Sequence, residues 1–116
     1  MKKIIGLTFL ILLLFSSFTA QMIPTSVKIT VRNELGALES GVTVTLYANK
    51  EDYEKNSNAV MTGKTDAKGL IYFQYLKQLN YYISAEKGDK NNFGAGEKLD
   101  SLTENRVNKV TIIISE

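Results

Sequence analysis

The residue types that most often carry enzymatic or metal chemistry are missing from this chain, which has no histidine and no cysteine. An ordinary catalytic triad, a cysteine nucleophile and a histidine or cysteine zinc site are therefore excluded. Paired carboxylates can still perform acid–base catalysis. Glu51, Asp52 and Glu54 share one polar segment, but such side chains are usually solvated. We therefore predict that the protein is not an enzyme and has no resident cofactor.

A second pattern that could bind a ligand starts at Asp89, where the sequence begins like an EF-hand calcium loop. Oxygen-bearing side chains stand at the first, third, ninth and twelfth positions of that loop: Asp89, Asn91, Glu97 and Asp100. The fifth position is phenylalanine, and the flanking helices of the motif are not indicated. A polar, glycine-rich surface loop explains the same residues, so calcium is a secondary hypothesis for the segment 88–105.

Period-two alternation predicts the elements that must position such residues. Strands are expected at 26–34, 42–47, 70–75 and 81–87, with a weaker one at 59–65. The polar segment 49–58 predicts a loop or a short helical turn. The continuous apolar run at 107–115 predicts a strand that is covered on both faces or placed centrally in its sheet.

A tight turn stabilised by its own side-chain hydrogen bonds is predicted at Asp66–Gly69. The Asp66 carboxylate can accept hydrogen bonds from backbone N–H groups two or three residues later, and Gly69 tolerates a positive φ.

These elements predict an all-β protein in which two antiparallel sheets pack as a sandwich of about seven strands. The alternating residues would fill the space of about 10 Å between the sheets. The residues expected to face inward are Val27, Ile29, Val31, Val42, Val44, Leu46, Ile71, Phe73, Tyr81, Ile83, Ala85, Val110, Ile112 and Ile114.

The order of the motifs resembles the carboxypeptidase regulatory-like domains, which share the transthyretin (prealbumin-like) fold. The resemblance covers residues 26–87 and extends to the last strand. It rests on Gly-x-x-Val-x-Leu-Tyr from Gly41, Thr-Asp-x-x-Gly from Thr65 and Tyr-x-Ile-x-Ala from Tyr81. The family often has Pro-Gly before the tyrosine strand, where this chain has Lys-Gln-Leu-Asn. The resemblance implies a Greek-key sandwich and a non-catalytic role, here in a stand-alone domain.

The same topology would make the strands of Tyr47 and Tyr82 neighbours in one sheet. Both rings would then point outward beside Thr45 and Ser84. Exposed tyrosines can stack on sugar rings or anchor a protein partner. They can equally form an ordinary cross-strand pair, so ligand binding here is the alternative to a general binding or structural role.

The N-terminus predicts export. Lys2 and Lys3 precede an apolar run from Ile4 to Phe15, which is shorter than the roughly 20 residues of a membrane span. We therefore expect a signal peptide at 1–20, a lead-in at 21–25 and one domain at 26–116. No cysteine follows the expected cleavage site, so a lipoprotein is not expected.

The charge balance of the chain argues against nucleic acid as a partner. The chain has 14 basic and 12 acidic residues, and removal of Lys2 and Lys3 makes the counts equal. Nothing forms the basic stripe that nucleic-acid binding requires.

The lack of cysteine favours a bacterial periplasm, surface or exterior over an oxidising eukaryotic compartment. A protein or a glycan is the expected partner, and the sequence leaves the oligomeric state open.

Overall fold

The computed structural model describes residues 22–116, so the predicted signal peptide lies outside the described residues. The described part contains eight strands and one short helix. In chain order they are β1 (Ser26–Asn33), β2 (Thr43–Tyr47), α1 (Lys50–Lys55), β3 (Met61–Lys64), β4 (Leu70–Phe73), β5 (Tyr81–Lys87), β6 (Lys90–Asn91), β7 (Lys98–Leu99) and β8 (Val107–Ile114). Within residues 22–116 no helix is long and apolar enough to cross a membrane.

The strands form two sheets, which confirms the predicted sandwich. One sheet has the order β4-β1-β8, and the other has the order β3-β2-β5-β6, with β7 also paired to β5. The pairings are antiparallel except for that of β1 with β8, which is parallel. This pair departs from the expected antiparallel order because both strands start at the same end of the sheet, where Ser26 pairs with Val107.

The core lies between the sheets and is built from the inward residues of the alternating strands. Ile71 and Val110 are partly buried and pack against it. The other expected residues are buried, namely Val27, Ile29, Val31, Val42, Val44, Leu46, Phe73, Tyr81, Ile83, Ala85, Ile112 and Ile114. The period-two pattern therefore assigned the inward face correctly on each of these strands.

β8 is an edge strand, so the prediction of a central or doubly covered strand is wrong. Its sheet neighbour is β1 alone. Ile112 and Ile114 are buried, whereas Val107 is 42% and Ile113 is 37% exposed. β-Branched residues also suit exposed strand surface, so a continuous apolar run does not by itself place a strand inside a sheet.

The turn at Asp66–Gly69 forms as the sequence predicts. Asp66 Oδ1 accepts hydrogen bonds from the backbone N–H groups of Lys68 (2.8 Å) and Leu70 (3.0 Å). The bonds from Leu70 and Lys68 lower the pKa of the Asp66 carboxyl. Gly69 has a φ of +72°, and a Cβ there would lie 2.9 Å from the carbonyl oxygen of Val31. Glycine is thus required by both the backbone conformation and the close approach of β1.

The segment 77–80, where the chain departs from the family pattern, is held by the next tyrosine. The Tyr81 hydroxyl accepts hydrogen bonds from the backbone N–H groups of Lys77 (3.1 Å) and Gln78 (3.0 Å). Tyr81 is itself buried in the core, so this turn is fixed by a core side chain.

Glu39, in the connection between β1 and β2, is bonded to the five-stranded sheet. Its carboxylate accepts hydrogen bonds from Lys87 Nζ (3.0 Å), Lys90 Nζ (3.1 Å) and Asn33 Nδ2 (3.1 Å). These partners, with Lys87 first, lower the pKa of Glu39 to about 2. The two lysines lie on β5 and β6, so one carboxylate links the two sheets at this end of the sandwich.

Candidate functional site

The predicted tyrosine pair exists, but half of it is covered. Tyr47 and Tyr82 face each other across the β2–β5 pairing, and Thr45 faces Ser84 two residues away. Tyr47 is only 6% exposed, so the expectation that both rings form an open surface is wrong. The cover is Tyr53 of α1, whose ring lies 5.8 Å from that of Tyr47 in an edge-on arrangement.

α1 positions Tyr53 through caps at both ends. Asn49 Oδ1 accepts the backbone N–H of Asp52 at 2.9 Å, which satisfies a free donor of the first turn. Asn56 ends the helix in the left-handed conformation with a φ of 50°. Tyr53 is the buried residue of this helix. The short helical turn allowed by the sequence is therefore a capped helix, and its one aromatic side chain covers β2.

Four aromatic rings form a cluster on the outer face of the five-stranded sheet. The Tyr53 ring lies 5.6 Å from that of Tyr82 and 6.3 Å from that of Phe93, centroid to centroid. Lys98 Nζ lies 5.6 Å from the centroid of the Tyr82 ring. Phe93 is 72% exposed. Tyr82 is therefore already contacted by protein groups, and Phe93 presents the most open aromatic surface of the cluster.

A groove of about 250 Å³ runs beside this cluster, between α1, β5 and the loop that joins β6 to β7. Its lining includes three aromatic rings and the three carboxylates of Glu54, Glu86 and Glu97. The complete lining is Lys50, Tyr53, Glu54, Asn56, Tyr82, Ser84, Glu86, Phe93 and Glu97. Lys50 is paired with Glu54 at 3.8 Å. Burial, followed by the Glu97 carboxylate, raises the pKa of Tyr53 to about 12. The groove thus offers apolar ring surface beside an excess of negative charge.

Asn92 holds the loop that carries Phe93. It is 1% exposed, and its Oδ1 accepts the N–H of Ala85 at 2.9 Å. Its Nδ2 donates to the carbonyl oxygens of Ile83 (2.9 Å) and Gly96 (3.0 Å). One side chain therefore pairs with the β5 backbone as a strand would. Nothing in the sequence signals this role, because Asn91 and Asn92 are adjacent residues of the same type in one polar segment.

The segment proposed for calcium, 88–105, contains the two short strands β6 and β7 and the loop that joins them. Asn91 Oδ1 accepts the N–H of Phe93, and Glu97 Oε1 accepts a backbone N–H three residues earlier, both at 2.9 Å. Asp89 and Asp100 are exposed. No group of three or more acidic side chains that could hold a metal ion occurs in residues 22–116. The Asn91 and Glu97 oxygens thus serve the backbone of the loop, and the calcium hypothesis gains no support from the geometry.

Two of the carboxylates considered for acid–base chemistry form ion pairs along α1. Glu51 contacts Lys55 at 2.7 Å and Glu54 contacts Lys50 at 3.8 Å, and all four side chains are mostly exposed. The arrangement is that of a charged helix surface, where such pairs contribute about 0.3–0.5 kcal/mol each.

Of the predicted site residues, the groove includes Tyr82, Ser84 and Glu97. Thr45 lies away from the groove and contacts the Thr62 hydroxyl at 3.1 Å. Sequence reasoning missed Tyr53 as the cover of Tyr47. The Asn-x-x-Asp capping pattern that starts at Asn49 could have indicated the helix, but it does not indicate which residues Tyr53 contacts.

No protein-family model and no curated protein matches this chain. Solved structures do match it, each with a TM-score of 0.56. The Bacillus anthracis TIE protein is 19% identical, and the match covers 80% of this chain and 16% of that one. The Bacillus cereus major pilin subunit BcpA is 18% identical over 81% of this chain and 30% of its own. The group B streptococcus pilus 2b backbone protein is 18% identical over 78% and 40%.

These similarities show the sandwich fold. The matched region spans well under half of each of the three neighbours. Membership of the carboxypeptidase regulatory-like family stays a prediction from the motifs.

Proposed function

We propose that this chain is an exported, non-catalytic module of the bacterial envelope or exterior that binds a protein partner through the aromatic groove. The observation that carries the proposal is Phe93, a phenylalanine that is 72% exposed on a loop fixed by the buried Asn92. An ordered apolar side chain loses little conformational freedom on binding, and binding energy concentrates in such anchors.

The chemistry of the groove favours a basic segment as its ligand. Glu54, Glu86 and Glu97 line it against a single lysine, Lys50. An arginine or lysine side chain could pair with the carboxylates of Glu54 and Glu86 and lie against an aromatic face. A flat guanidinium stacked near Phe93 would use both features at once, so we expect arginine-containing peptides to bind best.

Export and a surface location are supported by the sequence of residues 1–20 and by the fold. Two of the similar structures are a major pilin subunit and a pilus backbone protein. A purely structural role in a surface assembly is therefore the second candidate. It predicts that no soluble ligand occupies the groove.

A peptide array probed with residues 21–116, which contain the whole described fold, tests the proposal. We expect capture of arginine-containing peptides, weakened by salt because the groove charges are exposed. Phe93→Ala should reduce affinity at least about tenfold, as expected for an anchor residue. Tyr75→Ala is the matched control, since Tyr75 is also 72% exposed but lies outside the groove.

A glycan panel run in parallel distinguishes the alternative ligand. Capture of glycans but not of basic peptides, lost in Phe93→Ala, would replace the protein partner by a carbohydrate. An equal loss of binding in Phe93→Ala and in Tyr75→Ala would contradict the groove as the binding site. So would binding that Phe93→Ala leaves unchanged.

A further inference from the structure

The edge of the three-stranded sheet at β8 is open along most of its length. Backbone N–H and C=O groups of alternate residues point to opposite sides of a strand. The Arg106 carbonyl accepts the N–H of Ser26 in β1 at 3.0 Å, and both backbone groups of Ser115 bond to Asn91 on the other side. Odd-numbered residues of β8 therefore point away from β1. Within residues 22–116 the pairings leave four of them unbonded at this edge: Val107, Lys109, Thr111 and Ile113.

From this edge we propose that β8 pairs antiparallel with β8 of a second copy, with the two-fold axis at Val110. Val107 then lies opposite Ile113 of the second copy, and Lys109 lies opposite Thr111. In this register all four residues with free backbone groups face one another, so each pair exchanges both of its hydrogen bonds. Such an interface is self-complementary, as a two-fold dimer requires.

The side chains select this register over its neighbours. An axis at Lys109 would place two lysines directly opposite each other, and like charges in that position are destabilising. An axis at Thr111 would place Val107 opposite Ser115, whose backbone groups are already bonded to Asn91.

The register at Val110 also covers apolar surface at both ends of the interface. Val107 is 42% and Ile113 is 37% exposed, and cross-strand pairs of β-branched residues stabilise a sheet. An inserted lysine commonly protects an edge strand from pairing. Here Lys109 excludes a misaligned pairing and permits the one in which it faces threonine. The dimer would contain a continuous six-stranded sheet, β4-β1-β8 followed by the same strands of the second copy.

Sedimentation equilibrium of residues 21–116 over a wide concentration range tests the proposal. Thr111→Glu creates two Lys109–Glu pairs across the axis and should strengthen dimerisation about tenfold. Thr111→Lys creates two lysine–lysine pairs and should weaken it by a similar factor. Thr30→Glu and Thr30→Lys are matched controls, because Thr30 pairs with Thr111 but lies one strand inside the edge. They should leave the dimer unchanged.

A cross-linking experiment tests the position of the axis. The chain has no cysteine, so Val110→Cys introduces one thiol per copy. Opposed residues of a non-hydrogen-bonded pair have Cα atoms about 4.5 Å apart, which is within the disulfide range. We expect a covalent dimer on mild oxidation of Val110→Cys. We expect none with Val107→Cys, because position 107 of one copy and position 107 of the second copy lie at opposite ends of the interface.

A protein that stays monomeric at every concentration, with equal cross-linking of the two cysteine variants, would overturn the proposal. So would a dimer that Thr111→Glu and Thr111→Lys change in the same direction. An edge whose amides become protected only when an unrelated extended peptide is added would show that the occupant is a foreign strand, and this also contradicts a second copy.

Discussion

Tyr47 and Tyr72 mark the two outer faces of the sandwich, and they have different surroundings. Each ring points outward from its sheet, yet Tyr47 is 6% exposed and Tyr72 is 43% exposed. The face of Tyr47 is covered by α1 and by the loop between β6 and β7. The three-stranded sheet of Tyr72 ends at the open strand β8. The difference teaches that alternation along a strand decides which side chains point outward, while segments outside the strands decide whether they meet solvent or protein.

Asn92→Ala should have the largest effect on the covered face. The substitution removes three hydrogen bonds, two of them buried, and leaves backbone groups of β5 without partners. We therefore expect a loss of roughly 3 kcal/mol in the free energy of unfolding. Urea denaturation at neutral pH measures it. Asn91→Ala is the matched control, because its side chain makes an exposed bond and should cost less than about 1 kcal/mol. Equal effects would show that Asn92 does not hold the loop.

Tyr53→Ala should come second. The ring is 9% exposed and covers Tyr47, so its removal should destabilise the protein by about 2 kcal/mol, less than for a core aromatic because water can fill the space. Tyr72→Ala on the outer face of the three-stranded sheet also removes the 3.1 Å contact between the Tyr72 and Ser26 hydroxyls. Because Tyr72 is 43% exposed, we expect a smaller loss of about 1 kcal/mol. Thermal and urea unfolding of both variants measure the difference. A larger loss for Tyr72→Ala would reverse the contrast between the faces.

Most of the sandwich followed from the sequence, because its strands obey local rules. The alternation at Val27, Ile29 and Val31 and the turn at Asp66–Gly69 need only the pleat of a strand and the chemistry of a turn. The position of β8 did not follow, since a run of isoleucines satisfies the rules for a central strand and for an edge strand alike. Sheet order depends on contacts between residues that are distant in sequence.

The candidate site followed only in part, for the same reason. Tyr82 and Ser84 were placed on an outward face by alternation. Tyr53 and Phe93 are single aromatic residues in polar segments, where no periodicity signals their packing. Asn92 stabilises the fold because its side chain lies next to β5 and bonds to the backbone groups of Ala85 and Ile83. Each missed residue acts through a tertiary contact that a local pattern does not contain.

The two sheets are joined at one end by Glu39, and acid should weaken this connection. Its pKa is lowered from 4.5 to about 2, so its contribution to stability is complete above pH 4.5 and is lost as the pH falls toward 2. Glu39→Gln should therefore flatten the decline of the urea midpoint over that range. Glu104→Gln, at an exposed position, should leave the decline unchanged. A decline that persists fully in Glu39→Gln would assign it to other carboxylates.

The smallest expected effect on stability is that of Phe93→Ala. The ring is 72% exposed, so we expect a change within about 0.5 kcal/mol, the same as for Tyr75→Ala at equal exposure. A calorimetric comparison of the two variants measures it. A loss above about 1.5 kcal/mol would mean that Phe93 serves the fold as part of the cover. If stability is unchanged and peptide binding is lost, the covered face has two separable parts: Tyr53 and Asn92 build it, and Phe93 is available to a partner.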